Sequence, residues 1–153
     1  MPTQINYDND VDTIFYVFAA QGSLHYGLLM MSEAIVMVEH VMAVEVSMLQ
    51  STSPEDAMMI AAKAHALLRH AKDYMRGASQ TCTLLLNSDH GDESELTQMR
   101  GRAIEEMGRV NSLQHVLDVF VEKHYDPSEF AAKSYAQWQG LLSNRSFMKT
   151  TNR

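Results

Sequence analysis

Apolar residues change their rhythm along this chain, and each rhythm predicts a different kind of helix. The first third is apolar with little interruption: residues 13–32 carry no charge and include the runs IFYVFAA and LHYGLLMM. That length approaches a bilayer span, but Gln21, Gly22, Ser23 and His25 occupy its centre, where polar groups cost most in lipid. The pattern predicts a short helix over 11–20, a kink or turn at 21–23, and a long helix over 24–50. Within that long helix apolar side chains fall on nearly every face, with acids only at Glu33, Glu39 and Glu45. Val and Ile here also suit strands. Strict alternation is absent, however, and Met, Ala, Leu and Glu dominate, which favours a helix. A helix apolar all round is either central or covered by another chain. Leu28, Met31, Ile35, Val38, Met42, Val46 and Leu49 are therefore the expected self-association or partner surface. Glu33, set among apolar neighbours, is the carboxylate expected to be desolvated.

The next segment has a clean boundary and a regular stripe. In STSPED, residues 51–56, Ser53 is placed to cap a helix, Pro54 to occupy its first position, and Glu55 and Asp56 to offset its dipole. Ala57, Ile60, Ala61, Ala64, Leu67, Leu68, Ala71, Tyr74, Met75, Ala78, Cys82 and Leu85 then recur at steps of three and four. The many alanines let a neighbouring helix approach closely. After a break at 87–92, Leu96, Met99, Ala103, Met107, Val110, Leu113, Leu117 and Phe120 form a second stripe. Arg102–Glu106 and Glu105–Arg109 are expected as outward-facing i,i+4 pairs. Asp126-Pro127-Ser128-Glu129 reads as the cap of a shorter helix ending near Leu142, with a frayed basic tail over 143–153.

These elements predict an all-α bundle of four to five helices. A long antiparallel hairpin, about 54–86 and 93–125, packs on the apolar helix at about 24–50, because the short 87–92 connection makes its two arms neighbours. Each arm would span on the order of 45 Å. The chain is expected to form a single helical domain, with loose tails at 1–10 and 143–153.

Composition narrows the function without naming it. The chain of 153 residues is 46% hydrophobic and 20% charged, too apolar for a disordered segment. Its net charge of −7 argues against general nucleic-acid binding. The charge is unevenly spread: Asp8, Asp10 and Asp12 lie near the start, and the cations Lys133, Arg145, Lys149 and Arg153 near the end. The 12 methionines suit irregular core packing. A single cysteine, Cys82, allows no internal disulfide and is expected to be buried. The acidic N-terminus lacks the basic region of a cleaved signal peptide. Two locations stay open, the cytoplasm or export without a cleaved signal.

Catalytic signatures are absent from the pattern. No phosphate-cradling glycine loop or nucleophile elbow occurs, so an enzyme is not expected, nor a cofactor. The seven histidines do not adopt metal-site spacing: His65 and His70 are five apart, and His115–Asp118 is a lone i,i+3 pair. His65, Arg69, Lys72 and Arg76 do share a helix face and form a basic stripe suited to an acidic partner. The expected function is a non-enzymatic interaction or structural protein, a homo-oligomer or one that packs on partner helices. The architecture is analogous to subunits and chaperones of bacterial secretion-type or filamentous assemblies. Two alternatives are a membrane-active protein inserting residues 13–48, which is not favoured, and a small-ligand or metal-binding bundle using His40, His65 or His115.

Overall fold

The computed structural model describes the backbone of residues 7–46 and 54–151, and the side chains of residues 11–43 and 56–143. The fold is an all-α bundle of four helices: α1 (Tyr7–Val46), α2 (Pro54–Asn87), α3 (Glu93–His124) and α4 (Pro127–Thr151). Helices α2 and α3 form the long antiparallel hairpin, and the apolar α1 packs on it. Ser53, the expected cap of α2, lies outside the described residues.

Two expectations need correction. The turn at 21–23 does not form, and α1 continues unbroken through Gly22. Its buried residues explain why: Ala20, Leu24, Gly27, Met31, Ala34, Val38 and Val41 recur at steps of four and three along one face. A break at Gly22 would throw those side chains out of phase, whereas one glycine inside a helix costs only about 1 kcal/mol. The last helix also outruns its expected end near Leu142, because α4 runs on to Thr151.

The hairpin turn is built from local hydrogen bonds. The His90 N–H donates to Leu85 O at 2.9 Å and the Asp89 N–H to Leu86 O at 3.3 Å, the paired bonds of a Schellman ending. Asp89 takes the left-handed conformation at φ 55° that this ending requires. Gly91 follows at φ 80°, and a Cβ there would stand 3.1 Å from the Leu96 side chain, so position 91 has two reasons to be glycine. Asp92 then caps α3 by accepting a 3.1 Å bond from the Glu95 N–H. Asp126 caps α4 in the same manner through the Ser128 N–H at 3.0 Å.

The chain forms two compact units. The first comprises Met1–Leu28 and Lys72–Arg109, and so contains segments of α1, α2 and α3. Within it, Gln21 Nε2 donates to Glu95 Oε1 at 3.1 Å, and Arg100 Nη1 to Thr83 Oγ1 at 3.5 Å. The Tyr26 and Tyr74 rings meet at 5.9 Å. The second unit comprises Leu29–Ala71 and Val110–Arg153, and in it α4 joins segments of the other three helices.

The alanine stripe of α2 is fully buried at Ala61, Ala64, Ala71 and Ala78, with Leu68, Met75 and Cys82 as its larger members. Glu106 departs from the expected outward-facing pair with Arg102. It is buried, and Arg109 reaches it at 3.1 Å and Glu105 at 3.6 Å.

Candidate functional site

Two features of the described residues stand apart from ordinary packing. The first is a cleft of about 700 Å³ in the second unit, walled by α2, α3 and α4. Val121, Phe130, Ala131 and Ala132 make much of its surface apolar, while His65, Arg69, Asp118, Ser134 and Tyr135 supply polar groups. His65 Nδ1 lies 2.8 Å from Ser134 Oγ, and its Nε2 lies 3.9 Å from Asp118 Oδ1. The carboxylate favours the tautomer with hydrogen on Nε2, so Nδ1 accepts from the Ser134 hydroxyl. Phe130 meets the imidazole edge-on, with ring centres 5.6 Å apart. The Arg69 guanidinium carbon lies over the Trp138 ring at 3.8 Å from its centre, near enough for a cation–π contact.

Ser, His and Asp are the residue types of a hydrolytic triad, but their geometry here suits a different task. The Nε2–Asp118 separation exceeds hydrogen-bond distance. Ser134 lies well inside α4, where backbone N–H groups are already bonded along the helix and do not form an oxyanion hole. The arrangement fastens α4 to α2 around a half-buried histidine. Burial pushes the His65 pKa below its usual 6.5; Asp118 raises it and Arg69 lowers it further.

That shift fixes the sign of a pH effect. The folded protein binds the His65 proton less readily than the unfolded chain does, so this contribution to stability is present above the ordinary pKa of 6.5 and is lost as pH falls below it. Thermal unfolding near pH 7.5 and near pH 5.5 should therefore show an acid-side loss of Tm in the wild type. In His65→Gln that loss should be smaller. An equal loss in both proteins would mean that other groups carry it.

The second feature is a face of α1 in the first unit that the chain leaves uncovered. Val11, Phe15 and Phe18 are 61%, 74% and 67% exposed, and Ile14 and Tyr26 also stand mainly in solvent. Positions 11, 15, 18, 22 and 25 follow steps of four and three, the repeat of a helix-pairing seam. A Cβ built on Gly22 meets nothing within 4 Å, which places open space beside that turn.

The residues expected from sequence to form the partner surface lie elsewhere. Met31 and Val38 are buried by the chain itself, and Leu28, Ile35 and Met42 are half-buried. The side chains of Val46 and Leu49 lie outside the described residues. The sequence stripe thus marks mainly the inner side of α1, and the outer side begins earlier, at Val11. Glu33, expected to be desolvated, is exposed.

The residues of the basic stripe divide between the two units. His65 and Arg69 are engaged at the cleft in the second unit. In the first unit, Arg76 pairs with Asp73 at 3.3 Å and Lys72 is half-buried. His40 and His115 are exposed, and among the described residues no three His, Cys, Asp or Glu side chains gather as a metal site. Cys82 is buried, and that burial raises its thiol pKa. The stretch Val11–Ala43 is long and apolar enough to cross a bilayer. No family model, curated protein or solved structure matches this chain.

Proposed function

We propose that the protein is a non-enzymatic structural subunit that self-associates by pairing helices through the outward face of α1. One observation carries this reading: Val11, Phe15 and Phe18 stand on successive turns, each more than half exposed. Single exposed apolar residues are ordinary on a soluble protein, but a contiguous aromatic and aliphatic stripe marks a contact surface. The outward face of α1 stays in water in both units, at Leu29 and Val36 as well as at Val11, Phe15 and Phe18. A helix from a second copy supplies the missing cover.

A lipid partner fits this face less well. Helix α1 contains no Lys or Arg, the residues that draw an amphipathic helix to an anionic bilayer. Spanning the membrane would also bury the charges of Asp12, Glu33 and Glu39.

The face is modest in size. Each phenylalanine offers on the order of 150 Å², so the contact falls at the small end of specific interfaces and should have a micromolar dissociation constant. Sedimentation equilibrium over roughly 1 to 100 µM should show a mass rising from one chain towards two. The double variant Phe15→Asp/Phe18→Asp should stay at one chain throughout, with the helical content of the wild type, because both side chains project into solvent. A wild type that remains monomeric across that range would reject the reading.

A further inference from the structure

We infer that the pairing is an antiparallel, two-fold dimer of α1 centred between Phe15 and Phe18, which closes at two copies. This rests on the self-association reading above and adds to it the orientation, the register and the stoichiometry. Three features of the outward face argue for it.

Size complementarity comes first. In an antiparallel pair with Phe15 opposite Phe18 of the second copy, each residue i lies opposite residue 33 − i. Val11 then lies opposite Gly22, so the larger side chain of each pair fills the space over the turn that has none. The central layers are Phe15 on Phe18 and Phe18 on Phe15, and the outer layers are Val11 on Gly22 and Gly22 on Val11. A parallel pair instead sets Gly22 on Gly22 and leaves a gap in the seam.

Charge decides in the same direction. Asp8, Asp10 and Asp12 lie on the first turns of α1, which has no cation to balance them. In a parallel pair the acidic positions of the two copies lie level with one another. In the antiparallel register the Asp10 positions of the two copies are separated by roughly 20 Å along the helix axes, well beyond a Debye length of about 8 Å at physiological salt. Each acidic turn then runs beside residues 21–25 of the other copy, Gln-Gly-Ser-Leu-His, which include no carboxylate.

Closure follows from symmetry. A two-fold contact uses the same patch on both chains, and once formed it leaves no copy of that patch free. The α1 seam therefore makes a dimer and does not propagate a filament.

Disulfide trapping reads the register directly. Cys82 is buried and can be replaced by serine to leave one engineered thiol per chain. Two variants, Val11→Cys and Gly22→Cys, each made in full-length Cys82→Ser protein, are oxidised separately and as an equal mixture. The mixture should give a covalent heterodimer of the two variants, and neither variant alone should cross-link appreciably. Efficient cross-linking of Val11→Cys with itself would show a parallel pair and overturn the antiparallel inference while leaving self-association standing. Species larger than two chains in wild-type sedimentation would overturn closure in the same way. A protein that neither cross-links nor rises in mass would defeat both the inference and the reading on which it rests.

Discussion

Leu68→Ala is expected to destabilise the protein by about 3 kcal/mol, within the range of roughly 2–5 kcal/mol seen when a fully buried leucine is cut to alanine. Leu68 is fully buried and is flanked along α2 by Ala61, Ala64 and Ala71, which are also fully buried. Alanine neighbours cannot swing a longer side chain into the space that the leucine leaves. The cavity should therefore remain open, and its cost adds to the lost transfer energy. For a chain of this length the loss corresponds to a fall in Tm of roughly 10 °C. Leu84→Ala on the same helix is the control, because that leucine is mostly exposed; it should change stability by less than about 0.5 kcal/mol. Similar losses in urea unfolding of the two variants would mean that α2 packs in a different phase. The substitution bears on the cleft as well, since Leu68 lies between His65 and Arg69 in the sequence, and both depend on how α2 is held.

The hairpin was legible because local and global signals agree there. Pro54, the alanine stripe, the break at 87–92 and the second stripe from Leu96 to Phe120 all point to the same two helices, and α2 and α3 form within one residue of the predicted ends. Helix α1 was harder for a physical reason. It carries one stripe inward, from Ala20 to Val41, and another outward, through Val11, Phe15 and Phe18. With both sides apolar the helix reads as uniform, and neither face can be chosen from hydrophobicity alone. Gly22 then reads as a break, although the step of four and three continues through it on both faces. That unbroken step was the available signal. The link between His65 and Ser134 had no such signal, since 69 residues separate them and a serine inside a helix is unremarkable by itself. The contact exists only because α4 packs on α2.

The two faces of α1 also explain why burial differs so much along one helix. Ala20, Leu24, Met31, Ala34 and Val38, on the inward face, find cover within the chain in both units. Val11, Phe15 and Phe18, on the outward face, keep their water contact, as do Leu29 and Val36 further along α1. Apolar surface left in water on a regular seam costs about 25 cal/mol per Å² relative to burial. That cost is what a second copy would remove.

Arg109→Met should be the most damaging substitution of an exposed residue, at about 2 kcal/mol. Its side chain is 62% exposed, but it serves a carboxylate whose side chain is only 7% exposed. Glu106 Oε1 lies 3.1 Å from Arg109 Nη1 as an ion pair, and Oε2 is buried without a hydrogen-bond partner among the described residues. Without the arginine, a buried charge has neither water nor a counter-ion, and that penalty exceeds the small value of a surface ion pair. Glu106→Leu has the opposite expected sign. It removes the poorly satisfied carboxylate and leaves Arg109 hydrated and still 3.6 Å from Glu105, so stability should be unchanged or higher by about 1 kcal/mol. The double variant Glu106→Leu/Arg109→Met should then recover most of the loss caused by Arg109→Met alone. Urea unfolding of the four proteins gives the coupling between the two sites. Additive effects would show that Glu106 reaches water by some other route, whereas strong coupling would show a buried charge held by one exposed arginine.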